Sequence, residues 1–295
     1  MHMLIFGHGY TAAALTPQLV AAGWTVSGTT RADAARVAAA GARPILWPGN
    51  EALLRDEISR TDAILIAAAP DIASGDPVLA AFSEDLLRSR AGWIGYLSST
   101  NVYGDRGGDW VDESTQPRPT TARGQARLRA ENDWVELARR ADLPLTIFRL
   151  AGIYGPGRGP FTKLRNGTAR RIVKPGQVFS RIHVDDIAGA ILASLDRTAA
   201  DEGHPAATTQ IYNLCDDAPS APELTIETAA RLLGLPVPPA EPFAQAAMTP
   251  MARSFYAESK KVRNARLKQD LRYRLHYPDL EAGLRAIFAA EEGPI

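Results

Sequence analysis

Apolar residues along the chain gather into short runs that end in Gly, Ser or Thr, separated by longer stretches with helical spacing. The runs are MLIFG (3–7), TVSGTT (25–30), RPILW (43–47), AILIAAA (63–69), WIGYLSS (93–99) and LTIFRLAG (145–152), with IYNLC (211–215) as a late addition. Near-continuous apolar runs suit strands buried on both faces, and their alternation with helices predicts an α/β chain with a doubly wound parallel sheet. The helical stretches fall near 11–22, 32–40, 50–59, 78–91, 123–141 and 185–196. Pro17 sits inside the first of these, where a missing N–H and a ring clash predict a kink or a shortened helix. Gly- and Pro-rich sequence at 155–160 (GPGRGP) and 202–208 marks loops, and beyond 216 the rhythm gives way to Pro-spaced helical pieces. The expected division is a sheet domain over 1–155, with 177–215 returning to it, and a smaller lobe from 156–176 and 216–295.

The first strand runs directly into Gly7-His8-Gly9-Tyr10-Thr11-Ala12, a G-x-G-x-x-A turn that opens a helix. The first glycine permits the tight turn, the second lets backbone approach a pyrophosphate, and Ala12 allows close helix–strand packing at a helix N-terminus with free N–H groups. A tight turn that binds nothing has the same spelling. The second strand ends in Gly28-Thr29-Thr30-Arg31, where an acidic residue would take the ribose 2′-hydroxyl of NAD. Thr30 and Arg31 suit a 2′-phosphate better, which favours NADP, while Asp33 leaves NAD open. Ala67-Ala68-Ala69-Pro70 leaves room for a flat ligand at the end of the fourth strand, as a buried strand end of small residues also would.

SSTNVYGD (98–105) resembles the SS-x-x-VYG segment of the extended short-chain dehydrogenase/reductase superfamily, in its epimerase/dehydratase branch. RLAGIYGPG (149–157), RIHVDDIA (181–188) and KKVRNARLKQDLRYRLHYPDLEAGL (260–284) resemble further segments of that family in the same order. The resemblance implies a Rossmann domain with a C-terminal substrate lobe, an NADP or NAD cofactor, and cofactor contacts from Gly7, Gly9, Tyr10, Thr11, Thr30, Arg31, Ala67, Ala68, Ala69, Ser98, Arg127, Gly152 and Ile153. In such proteins a Ser or Thr bonds the substrate oxygen, a Tyr transfers the proton, and a Lys holds the ribose and lowers the Tyr pKa. Ser99 takes the hydroxyl role, whereas aligning ARLRAE with the family's SKLAAE puts Arg123 at the Tyr and Arg127 at the Lys. The stripe Ala130, Trp134, Leu137, Ala141, stepped backwards, predicts that both arginines face the sheet end. Arginine, with a pKa above about 12, is a poor proton donor near neutrality. Tyr103, Tyr154 and His183 are the candidates to replace the missing acid, His183 being more simply a structural histidine.

Charge narrows the partners. Lys+Arg and Asp+Glu stand at 33 each, so electrostatics give no case for nucleic acid or an anionic membrane. A small-molecule substrate is expected, a sugar nucleotide among the candidates, with Arg158, Arg165, Arg170, Arg171 and Arg181 available to a diphosphate. Helices near 78–91 and 123–141 are the dimer surface of many relatives, but Arg90, Arg129 and Arg139 argue against an all-apolar homodimer interface. A lone cysteine, Cys215, the lack of a basic leader and the absence of an apolar run of about 18 residues suit a cytoplasmic protein. The five histidines show no zinc spacing, and Asp185-Asp186 reads as a helix cap rather than a metal site. The expected activity is an atypical NAD(P)-dependent oxidoreductase or epimerase-like enzyme; the alternative is a non-catalytic NAD(P)-binding sensor.

Overall fold

The structure, a computed structural model, describes residues 1–200 and 208–292. The loop expected at 202–208 falls outside the described residues except for Thr208, and His204 lies outside them as well. Seven parallel strands form the central sheet: β1 (His2–Phe6), β2 (Thr25–Thr30), β3 (Arg43–Leu46), β4 (Ala63–Ile66), β5 (Trp93–Ser99), β6 (Leu145–Leu150) and β7 (Thr209–Leu214). Their order is β7-β6-β5-β4-β1-β2-β3, so the chain reverses direction across the sheet between β1 and β4. In doubly wound sheets the crevice at such a switch point, beyond the carboxyl ends of the strands, is where ligands bind. IYNLC returns as expected, with β7 the edge strand beside β6 in register Ile211 to Ile147.

The strands read as apolar because both faces are covered. Met3 and Ile5 point into one core with Ala12, Leu15 and Leu19 of α1 (Tyr10–Ala21), while Leu4 and Phe6 point into a second with Leu54, Ile58 and Phe82. This is the period of two of an extended chain, and each buried Leu or Ile side chain contributes roughly 1.5–3 kcal/mol. Helices α2 (Ala34–Ala39), α3 (Glu51–Arg60), α4 (Pro77–Leu86), α5 (Ala122–Ala141) and α6 (Val184–Ala200) complete the layers.

Two helices depart from expectation. α1 runs unbroken to Ala21 because Pro17 lies on its exposed side, where water can serve the carbonyl that loses its donor. α4 ends at Leu86, not 91, because the chain tightens into three-residue bonds, Arg88 N to Asp85 O and Ser89 N to Leu86 O.

Segments after β6, joined by Trp110–Val111, build a smaller body. Gly152–Tyr154 pairs with Arg181–His183, Arg171–Val173 with Ala240–Pro242, and Trp110–Val111 with Lys261–Val262, all parallel. Tyr154, Phe161, Leu164, Ala229, Ala230, Leu280, Leu284 and Ile287 form its own core. Asp186, expected as a cap, instead fastens this body to α6: fully buried, it accepts from Tyr273 OH at 2.9 Å, His276 N at 2.7 Å and Tyr277 N at 3.1 Å.

Candidate nucleotide-binding cleft and active site

The glycine turn is wedged between β2 and the end of β4. Gly7 N donates to Thr29 Oγ1 at 2.7 Å and His8 N to Thr29 O at 2.8 Å. Gly7 has φ +85°, and a Cβ there would stand 2.7 Å from Ala68 N, so only glycine fits. His8 is held in the turn: its Nε2 meets Thr16 Oγ1 at 2.8 Å, and since that hydroxyl donates to Ala12 O, the imidazole must be the donor. Burial lowers the His8 pKa, so the ring is neutral with Nδ1 bare. Gly9 opens α1 without a side-chain cap, and no acidic residue stands in the first turn. A helix start of this kind presents free N–H groups and positive dipole to an anion.

That end of α1 forms one wall of a cleft of about 920 Å³. Gly7, Gly9, Tyr10, Thr11 and Ala67 line it on one side, Ser98, Ser99, Arg123 and Arg127 in the middle, and Gly152, Ile153, Tyr154 and Arg181 toward the smaller body. Tyr10 OH donates to Pro156 O at 2.9 Å, and Arg158 lies 5.4 Å from its ring centroid, so the GPGRGP loop closes over the helix start. Ala68 and Ala69 do not line the cleft; Ala68 serves as the backbone against which Gly7 packs. Thr30 and Arg31 also lie outside its lining, Thr30 accepting from Asp33 N at 3.3 Å and Arg31 standing exposed beyond β2. Sequence reasoning missed Arg36, whose Nη2 donates to His8 O at 2.7 Å and sets a guanidinium beside the turn. A basic residue three after the capping Asp33 was the available signal.

The two arginines of α5 part company. Arg127 is half-buried, donating to Leu97 O at 2.8 Å and to Tyr96 OH at 3.2 Å. Arg123 is exposed at the cleft rim. The inward reading therefore holds for Arg127 alone; the first turn of α5 buries Gly124 and Ala126 instead, with Gly124 against Asn101 O. Ser99 Oγ accepts from Asn101 N at 3.2 Å and faces the cleft.

Behind the cleft runs a buried network. Ser98 Oγ donates to Glu131 Oε1 at 2.5 Å, Glu131 is held by Arg149 through Oε1 at 3.1 Å and Oε2 at 2.7 Å, and Arg149 Nη1 donates to Tyr103 OH at 3.1 Å. Tyr103 OH in turn donates to Asn213 Oδ1 at 2.8 Å. Tyr103 is fully buried and does not line the cleft, and burial pushes its pKa up to about 12 against the opposing pull of Arg149. Its proton is committed to the core, so the structure does not bring Tyr103 to the place of a proton donor. Tyr154 reaches the cleft, but its hydroxyl donates to Asp279 O at 3.3 Å, and burial with Asp216 and Asp186 pushes its pKa far up. His183 is buried between the rings of Tyr154 and Tyr277, with Nδ1 accepting from Asp185 N at 3.3 Å. Burial lowers its pKa, which suits a neutral structural ring. Among the described residues no cluster of His, Cys, Asp and Glu could hold a metal ion, and no helix is long and apolar enough to cross a membrane.

The model of the NAD dependent epimerase/dehydratase family matches residues 3–215, the sheet and most of the cleft. The chain belongs to this family. The relatives include Protein YeeZ of Escherichia coli strain K12, 33% identical over 252 residues, which span 79% of this chain and 84% of that one. A functionally unknown conserved protein from Silicibacter pomeroyi DSS is 48% identical with a TM-score of 0.86, covering 99% of both chains. The human epimerase family protein SDR39U1, solved with NADPH, shares the fold at a TM-score of 0.75 and 20% identity, over 99% of this chain and 100% of that one. Family membership thus agrees with the parallel sheet read from the sequence.

Proposed function

We propose that this family member is an NADP(H)-dependent oxidoreductase or epimerase-like enzyme acting on a small hydroxyl- or carbonyl-bearing substrate. The observation that carries this reading is the uncapped start of α1 at Gly9, open to a cleft that continues past Ser99 to the smaller body. The cradle fits a dinucleotide: Gly9 has no atom nearer its Cβ position than Gly7 O at 3.8 Å, which leaves space for phosphate oxygens against the N–H groups. Arg31 and Arg36 flank the end of β2 and support a 2′-phosphate, hence NADP over NAD. The NADPH held by the human fold relative is in keeping with that choice.

A bound nicotinamide supplies or accepts hydride. In this reading Ser99 polarises the substrate oxygen, Arg127 steadies ribose or substrate charge, and Arg123 meets anionic groups at the rim. The residues of 156–176 and 216–295 form the substrate side, where Arg158 suits a phosphorylated substrate such as a sugar nucleotide, while the Arg181 guanidinium is given to Ser220, Phe179 O and Ala221 O. A homodimer and a cytoplasmic location remain part of this proposal.

Titration calorimetry with NADPH and NADH tests the cofactor, with NADPH expected to bind at least about tenfold tighter and Arg31→Ala expected to narrow the gap, at roughly 1.4 kcal/mol per factor of ten. Stereospecifically deuterated NADPH incubated with a panel of carbonyl compounds tests the chemistry through loss of label. A second reading draws on the anchoring of Arg127 to Leu97 O and the burial of Tyr103: a cofactor-binding sensor without turnover. Tight NADPH binding with no label loss on any compound selects it.

A further inference from the structure

One ionisable couple in the cleft is left unused by the roles assigned so far. Glu258 and Lys260 precede the strand Lys261–Val262, with side chains only 6% and 9% exposed, and Lys260 Nζ donates to Glu258 Oε2 at 2.7 Å. Both line the cleft together with Ser99, Asn101, Thr121 and Arg123. Their backbone is fixed from two sides. Glu258 O accepts from Gln177 Nε2 at 2.7 Å, and Ser259 between them binds Asp105 Oδ1 through its N at 2.8 Å while its carbonyl accepts from Arg106 N and Gly108 N. The couple also touches the catalytic side of the cleft: Thr120 Oγ1 donates to Glu258 Oε1 at 2.8 Å, Thr121 caps α5, Gly124 of that helix lies on Asn101 O, and Asn101 N donates to Ser99 Oγ.

Among the described residues, the other cations of the cleft are Arg123, Arg127, Arg158 and Arg181, none able to release a proton. Tyr10 and Tyr154 face the cleft with hydroxyls already given to Pro156 O and Asp279 O. Lysine is scarce here, five among 33 basic residues, so a buried one at this position does not follow from composition. A lysine desolvated beside a carboxylate is a group that can both hold and pass a proton.

We propose that Lys260, positioned by Glu258, is the proton-transfer residue of this cleft and takes the place of the tyrosine that the family carries where Arg123 stands. The assignment rests on the oxidoreductase reading above. In the reducing direction the substrate carbonyl carbon receives hydride from a reduced nicotinamide nucleotide, and the C=O π electrons move onto the oxygen. The Lys260 N–H bond breaks as the O–H bond forms, the alcohol departs, and the neutral amine regains a proton from water at the mouth. Oxidation runs the same steps backwards. Glu258 stays a carboxylate throughout and acts as a positioning residue.

The test uses the full chain and three variants, Lys260→Met, Lys260→Arg and Lys261→Met, the last changing a side chain that packs on Trp110. NADPH fluorescence reports cofactor binding, and label loss from deuterated NADPH with the carbonyl panel reports turnover. Expected are NADPH affinities within about threefold of wild type for all three variants, turnover lowered about 100-fold or more in Lys260→Met and Lys260→Arg, and unchanged turnover in Lys261→Met, with proton transfer typically supplying 10²–10⁴-fold. Small primary amines are expected to restore part of the Lys260→Met turnover, in order of their basicity. Lys260→Met turnover within twofold of wild type overturns the lysine assignment alone; absence of NADPH binding in the wild type overturns the oxidoreductase reading. If the panel holds no substrate, the protein labelled with [6-13C]lysine decides, since only five resonances arise and Lys260→Met assigns one. Addition of NADP with acetate as an oxyanion probe is expected to move the Lys260 signal, and a Lys260 signal indifferent to both overturns the assignment.

Discussion

The two edges of the central sheet treat charge in opposite ways. At the amino edge, Glu57 is 2% exposed and gathers four partners: Arg43 Nη2 and Arg60 Nη2 at 2.6 Å each, and Ser27 Oγ and His2 Nε2 at 3.0 Å each. At the carboxyl edge buried atoms are left open. His8 Nδ1, His183 Nε2 and Asp216 Oδ2 have no partner, and the start of α1 is uncapped. An unpaired buried polar group costs roughly 1–3 kcal/mol, and none of these three side chains lines the cleft, so it is the uncapped start of α1 that offers its open groups to a ligand. Saturated polar groups mark architecture, and the open helix start that lines the cleft marks the site.

The buried network beneath the cleft is the hardest test of that rule, because it lies at the open edge yet is fully paired. Replacing Arg149 by Met strands Glu131, 3% exposed, with only Ser98 for company. A loss of about 3–5 kcal/mol is expected in urea unfolding, as for other buried pairs broken on one side. A loss under about 1 kcal/mol, well below that range, would mean that the network is a surface-like pair and the rule fails.

pH separates the two edges with opposite sign. Burial lifts the Asp216 carboxyl from 3.8 to about 7, only partly opposed by Arg181 and Ala218 N. The folded state therefore binds the extra proton, and stability falls as pH rises from about 4 to about 7. Asp216→Asn is expected to exceed the wild type by ~2–4 kcal/mol above pH 7 and to match it below pH 4, at about 1.4 kcal/mol per unit. For Glu57 burial also pushes upward, but hydrogen bonds from Arg43, Arg60, Ser27 and His2 outweigh it and hold the pKa at about 2 instead of 4.5. That contribution is complete above 4.5 and disappears as pH falls through 2, so Glu57→Gln should be less stable by ~2 kcal/mol at pH 6 and indistinguishable near pH 2, the partial exposure of both arginines trimming the figure. Thermal unfolding of the three proteins from pH 2 to 8 checks both signs.

What the sequence discloses follows from the range of the forces involved. The five inner strand runs are legible because Met3 to Phe6 and their counterparts are buried on both faces, a property written in consecutive residues, whereas the edge strand β3 leaves Arg43 and Leu46 exposed. Gly7 is legible because its turn is local. Arg123 is not, since helical spacing fixes a face but not the point at which α5 projects beyond the sheet. Tyr103 and Asp186 are settled by partners at Asn213 and at 273–277, about 90 to 110 residues away, which no periodicity encodes. Lys260 lies in a segment brought to the cleft by pairing with Trp110–Val111 and by bonds to Asp105, Arg106, Gly108 and Gln177, all distant in sequence.

The smallest effects on stability distinguish the two helix starts that line the cleft. Thr121 caps α5 through Gly124 N at 3.1 Å, and Thr121→Ala should cost about 1 kcal/mol in urea unfolding, the usual worth of a cap. Gly9 occupies the same position on α1 with φ −99°, a conformation open to any residue, and no neighbour closer to its Cβ position than 3.8 Å. Gly9→Asp should therefore leave stability within about 0.5 kcal/mol of wild type or raise it slightly, because aspartate is a good cap and favours the dipole. The same carboxylate would stand where the phosphates are proposed to bind, so NADPH affinity is expected to fall at least about 100-fold, near 2.7 kcal/mol. A Gly9→Asp protein that folds normally and still binds NADPH as tightly as the wild type would show that the open end of α1 is not an anion site, and the contrast between the two edges would lose its functional meaning.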